Sequence, residues 1–212
     1  MKNLSQQIEE LNENLALQLP PEVLQVFSQS IQDLKTENIE EKCINIGDLF
    51  PDFSLPNSNN ETIQLKELLK KGKVIVAFFR GNWCPYCNLE LKALQHKLKD
   101  IADNKVTLVG ISPQTTDYNE ELKSNLDLDF ELLRDKDNNL SKQLGISFKL
   151  HDYVIPVYES LGIELSEYNG NNDSELPVPA VFVIDINGNI TYKFVDSNYM
   201  NRINIQELIE QL

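Results

Sequence analysis

Residues 73–79, KVIVAFF, form an unbroken apolar run with two valines and an isoleucine. The run is too short for a buried helix and predicts a central strand. It stops at Arg80-Gly81-Asn82, and Trp83-Cys84-Pro85-Tyr86-Cys87 follows at once. Leu91, Leu94, Leu98 and Ile101 then recur at helical spacing as far as Asp103-Asn104, so a helix is expected to start near Cys84 or Cys87. A buried strand that feeds a helix through a Cys-x-x-Cys turn leaves few architectures open.

The flanking sequence narrows them further. Val106–Ile111 reads as a second buried strand, and strand, helix, strand implies a right-handed parallel crossover. Phe130–Leu133 and a helix around Leu140–Leu144, ended by Gly145, repeat the alternation. Residues 146–176, with His151, Pro156 and the polar run Asn169-Gly170-Asn171-Asn172, carry no clear period and are read as an insertion. Val181–Asp185 and Ile190–Val195 read as two alternating strands about Asn187-Gly188, a dipeptide favoured in tight hairpins. Residues 204–212 close the chain as a helix. The core order is therefore β-α-β, an insertion, then β-β-α, which is an α/β class. Ahead of it, Leu4, Ile8, Leu11 and Leu15, then Val23, Phe27, Ile31 and Leu34 after Pro20-Pro21, predict two amphipathic helices that dock on the chain's own core. The expected division is a helical extension over 1–42 and one domain over 43–212.

Charge excludes some partners. Nineteen Lys and Arg against 33 Asp and Glu give a net charge of -14, a field that repels phosphate backbones and anionic lipid headgroups. Neither nucleic acid nor a membrane is an expected partner. No stretch reaches the ~18 apolar residues of a membrane helix. The polar N-terminus has no secretory pattern, so a cytoplasmic location is expected.

Chemistry concentrates in the Cys-x-x-Cys. A helix N-terminus presents unpaired N–H groups and about half a positive charge, which stabilise a thiolate. Two cysteines three apart can attack and resolve in turn. A metal would need two more ligands, and Cys43, His96 and His151 stand isolated along the chain, so none is expected. The bland alternative is that both cysteines are small buried hydrophobes. Arg80 is the nearest cation to the pair; the alternative for it is a loop arginine paired with surface acid. Arg202, after Tyr199, is a weaker candidate for that charge, since an arginine opening a C-terminal helix is usually solvated. Cys43 has no motif around it and reads as a structural or merely reactive thiol, and His96 and His151 as surface or satisfied histidines.

Several segments together resemble the peroxiredoxin-like branch of the alkyl hydroperoxide reductase/thiol-specific antioxidant family, with similarity to Q-type peroxiredoxins. They are Phe78–Leu91, Gly110–Gln114, Leu176–Asp185, Val195–Tyr199 and the opening Gly47–Pro56. The resemblance implies a thioredoxin-like fold, with Pro179 as a cis-proline opposite the dithiol. It implies a thiol-dependent peroxidase in which Cys84, Cys87 and Arg80 act without a prosthetic group. The implied substrate is hydrogen peroxide or an alkyl hydroperoxide, and the reductant thioredoxin or a low-molecular-weight thiol; a homodimer is compatible. Laid on the family's Pro-x-x-x-Thr-x-x-Cys motif, Arg80 replaces Pro, Cys84 replaces Thr, Cys87 takes the peroxidatic place and Glu90 the acidic place after it. Lys92 stands where Q-type proteins often carry a resolving cysteine, and Pro179-Ala180 where the family carries an arginine. The thioredoxin template instead makes Cys84 the nucleophile and Cys87 the resolver, which gives a general thiol-disulfide oxidoreductase as the alternative enzyme. A non-catalytic redox sensor acting through the N-terminal helices is the alternative of another class.

Overall fold

The computed structural model describes residues 2–212. In chain order the elements are α1 (Leu4–Gln18), α2 (Pro21–Thr36), α3 (Ile39–Lys42), β1 (Ser54–Pro56), β2 (Thr62–Gln64), α4 (Leu65–Leu69), β3 (Lys73–Phe78), α5 (Pro85–His96), α6 (Leu98–Asp103), β4 (Val106–Ser112), α7 (Thr116–Asn125), β5 (Glu131–Arg134), α8 (Asn139–Leu144), β6 (Ser147–Lys149), α9 (Ile155–Ser160), α10 (Leu165–Asn169), β7 (Glu175–Pro177), β8 (Ala180–Ile184), β9 (Ile190–Val195) and α11 (Ile205–Glu210). No helix among the described residues is long and apolar enough to cross a membrane.

Five strands form the central sheet in the order β5-β4-β3-β8-β9. β3 runs parallel to β4 and β4 to β5, while β8 is antiparallel to both β3 and β9. Because successive side chains alternate across a strand, β3 supplies two cores at once. Ile75, Ala77 and Phe79 face a cluster with Cys84, Cys87, Leu91 and Leu94, whereas Val74, Val76 and Phe78 face one with Phe50, Leu144, Phe182 and Cys43. The dithiol and Cys43 thus lie on opposite faces of the sheet.

α1 packs Ile8, Leu11 and Leu15 against the cluster that holds the dithiol. α2 places Val26 and Phe27 against a third cluster built from the insertion, around Leu150, Val154, Tyr158 and Leu176. The insertion itself folds as the antiparallel pair β6–β7 enclosing α9 and α10. Its signal was faint because each element is only three to six residues long.

Four local expectations need correction. The Val178–Pro179 peptide is trans, as are all those described. Val178 N–H bonds to the Ile146 carbonyl at 2.8 Å, which keeps the chain extended from β7 into β8, and trans is the intrinsically favoured isomer. The β8–β9 connection is not a two-residue turn. The Asp185 carboxylate accepts the N–H groups of Asn187 (2.9 Å) and Asn189 (2.8 Å), and Gly188 takes φ +89° to close the longer loop. β8 does not alternate either: all five residues are buried, as suits a strand covered on both faces. The helix after the cysteines breaks at Lys97, which then opens α6.

Candidate active site

The site begins where β3 ends. Phe79 N–H still bonds to the Ile111 carbonyl (2.9 Å), then the loop 80–83 turns toward α5. Asn82 N–H donates to Gln114 Oε1 (2.8 Å), and Asn88 Nδ2 returns to the Asn82 carbonyl (2.8 Å), so the loop is tied to the end of β4 and to α5. At Gly81 a Cβ would overlap the Trp83 indole, which leaves glycine as the residue that fits. Cys84 is the N-cap of α5, with Pro85 at the first helical position, where a missing N–H costs nothing.

Cys84 is 1% and Cys87 0% exposed, and their sulfurs lie 2.6 Å apart with the Cys87 thiol donating to Cys84. Burial opposes an anion at Cys84. The thiol and N–H of Cys87, with the positive charges of Arg80 and Arg202, outweigh it and bring the Cys84 thiol down to about 6. Cys87 moves the other way, because burial disfavours its charged form and its proton is shared with the neighbouring sulfur. The surroundings therefore favour a thiolate on Cys84 over one on Cys87.

Arg80 is 3% exposed and, among the described residues, forms no ion pair with a carboxylate. Its Cζ lies 4.1 Å from the Tyr199 ring centroid, 4.8 Å from Trp83 and 5.9 Å from Tyr158, and its Nη2 donates to the Tyr158 hydroxyl. Each desolvated cation–π contact is worth about 2 kcal/mol, so three rings are of the same order as the several kcal/mol that burying the charge costs. The guanidinium stays charged, helped by Tyr158 and the Cys84 sulfur against its desolvation. A loop arginine satisfied by surface acid is thereby excluded.

Arg202 was expected in solvent and is instead buried, its side chain 1% exposed. Its Nε lies 3.3 Å from Glu90 Oε2 and its Nη2 3.3 Å from Cys87 Sγ. Burial pushes the Glu90 carboxyl up to about 7 although Arg202 pulls it down. A position opening a helix gives no hint of this contact; the hint was its place three residues after Tyr199, just beyond the segment Val195–Tyr199 that carries the family resemblance. Tyr158 was missed outright, since nothing in the insertion marks it.

The other candidates lie elsewhere. Cys43 sits across the sheet, with Lys193 Nζ 3.6 Å from its sulfur, and burial raises its thiol despite that charge. His96 is exposed at the end of α5, and His151 stacks on Tyr153. Among the described residues no group of three or more His, Cys, Asp or Glu could hold a metal ion.

A central mixed sheet whose middle strand leads into a helix capped by Cys84 defines a thioredoxin-like fold. The chain belongs to the AhpC/TSA family, whose model matches residues 46–193. It is 35% identical over 100 residues to the bcp protein of Buchnera aphidicola subsp. Schizaphis graminum, covering 47% of this chain and 63% of that one. It is 30% identical over 103 residues to Peroxiredoxin Bcp of Escherichia coli strain K12, covering 47% and 64%. The chain thus spans just under two thirds of the length of these relatives. In structure it is similar to Peroxidoxin BcpB from Mycobacterium tuberculosis, with a TM-score of 0.62, 19% identity, and 79% of this chain and 96% of that one covered. At that identity the likeness is one of fold.

Proposed function

We propose that this protein is a thiol-dependent peroxidase working through a Cys84–Cys87 dithiol cycle. The observation that carries the reading is the buried pair of sulfurs 2.6 Å apart, the Cys87 thiol donating to Cys84, with the Arg202 guanidinium 3.3 Å from Cys87 Sγ. The Cys84 thiolate attacks a hydroperoxide oxygen: an S–O bond forms, the O–O bond breaks, and the alkoxide or hydroxide leaves and takes up a proton. The cationic surroundings stabilise the charge that develops on the leaving oxygen. Cys87 then attacks the sulfenic sulfur, water departs, and a disulfide closes. A two-electron thiol reductant restores the pair. The electrostatics thus favour Cys84 as nucleophile, where the peroxiredoxin motif would favour Cys87.

Burial also supports peroxide over a protein disulfide as oxidant. Trp83, Tyr158 and Tyr199 pack around the site, so a small molecule reaches the sulfur with far less rearrangement than a folded partner would need. The same reasoning favours a low-molecular-weight thiol over thioredoxin as reductant. Residues 1–42 act in this reading as a helical extension to the domain 43–212, and the acidic chain is assigned to the cytoplasm.

The test is dimedone labelling of single variants after a brief peroxide pulse. Cys87→Ser should trap a sulfenic acid on Cys84, and Cys84→Ser should abolish peroxide consumption. Label on Cys87 alone would reverse the roles, and label on neither would remove the peroxidase reading in favour of the oxidoreductase.

A further inference from the structure

Arg80 is a buried cation with no acidic neighbour, which makes its position a matter of what else holds it. Its Nη2 donates to the hydroxyl of Tyr158, and that residue is 5% exposed. Tyr158 comes from α9, in the insertion, and is fixed there from three sides. Phe27 of α2 meets its ring edge-on at 6.0 Å between centroids, Trp83 meets it at 5.4 Å, and Leu150, Val154 and Leu176 complete the cluster. The Tyr199 and Trp83 rings hold the guanidinium by their faces, contacts that are sequence-tolerant and weakly directional. Among the described residues the Tyr158 hydroxyl is the one hydrogen-bond acceptor that the guanidinium has, and Nε is buried without a partner.

We infer that Tyr158 is a positioning residue, which aims the Arg80 guanidinium at the dithiol so that Arg80 serves as the counter-charge of the reacting sulfur. The role depends on the dithiol reading above and adds to it a function for the insertion. It also puts α2 in mechanical contact with the site, through Phe27, Tyr158 and Arg80 in turn. Cys87 of α5 touches the Cys84 sulfur, and Tyr86 of α5, Arg80 after β3, Tyr158 of α9, and Tyr199 and Arg202 of the C-terminal loop lie within electrostatic reach of it, with Glu90 reached through Cys87. His151 shares a small cavity with Arg80. Of these cations, Arg80 is the one whose placement Tyr158 controls.

Thiolate absorbance at 240 nm, followed against pH on the reduced full chain, reads the reacting sulfur without needing access to it. Tyr158→Phe keeps the ring and removes the acceptor, and should lower the thiolate-to-thiol ratio about three- to tenfold, seen as an upward shift of the midpoint. Arg80→Gln should shift it further in the same direction. In the Arg80→Gln background, Tyr158→Phe should then add nothing, because its effect runs through Arg80. If Tyr158→Phe folds poorly, Phe27→Leu loosens the same ring and should produce a smaller shift that also vanishes with Arg80→Gln. A titration unmoved by both variants, or an equal shift in the Arg80→Gln background, overturns the role. Peroxide consumption measured on the same proteins separates the two readings. A shifted titration without turnover counts against the peroxidase alone, and an unshifted one with intact turnover counts against Tyr158.

Discussion

Cys84 and Glu90 sit about one and two-thirds helical turns apart in the same buried site, and burial alone would make both neutral. The difference between them is what donates to each. Cys84 accepts from the Cys87 thiol and N–H, whereas Glu90 has Arg202 and one long contact from Ile203 N–H at 3.5 Å. At pH 7 a thiol held at about 6 is roughly nine-tenths ionised, against a few per cent for a free cysteine. The reduced protein should accordingly show one thiolate by 240 nm absorbance at neutral pH, and none there would contradict the charge distribution. Glu90 gives a stability prediction of opposite character. Its carboxyl is raised in the folded state to about 7 from 4.5, so the folded chain keeps that proton to higher pH. The associated stability is complete below about 4.5 and drains away as pH rises through about 7, by at most ~3 kcal/mol. Urea unfolding of Glu90→Gln should match the parent near pH 5 and exceed it at pH 8. Equal losses at both values would show that the Arg202 pair outweighs the burial of the acid.

At the level of elements, α1 and α5 lean on one another through Leu11 and Leu15 and through the Tyr86 hydroxyl, which donates to Asn12 Oδ1 at 2.6 Å. Truncating both leucines removes about six methylene-sized groups of partly buried surface, worth ~2 kcal/mol or more. Leu11→Ala with Leu15→Ala should therefore speed amide exchange in α1 and quicken alkylation of the buried dithiol, while β3 and β4 stay protected. Unchanged alkylation would mean that α1 does not restrict access. These helices were legible because their period is sustained over four turns each. So were β3, β4 and the start of α5, where long apolar runs meet strong punctuation at Gly81 and Pro85. The insertion was illegible because its elements are too short to show a period, and with it went Tyr158. Arg202 was misjudged for a related reason: a charge before a helix is solvated unless a distant element closes over it, and here α5 does. The tight turn at Asn187-Gly188 failed because the Asp185 side chain competes for the backbone and lengthens the loop.

Across the whole molecule, the sheet acts as a partition. Its two apolar faces put Cys84 and Cys87 in one core and Cys43 in the other, so Cys43 cannot reach the pair while the sheet is intact. The expectation that Cys43 stays apart rested on the spacing at 84–87, and the topology adds a physical reason for it. The net charge of -14 repels an anionic oxidant, which suits a small, neutral one. The most direct measurement is a titration of the reduced protein with one equivalent of hydrogen peroxide, followed by thiol counting and peptide mapping. Two of three thiols should be lost for each peroxide consumed, with a single Cys84–Cys87 disulfide and Cys43 free. Three surviving thiols, or a dominant linkage through Cys43, would contradict the dithiol cycle.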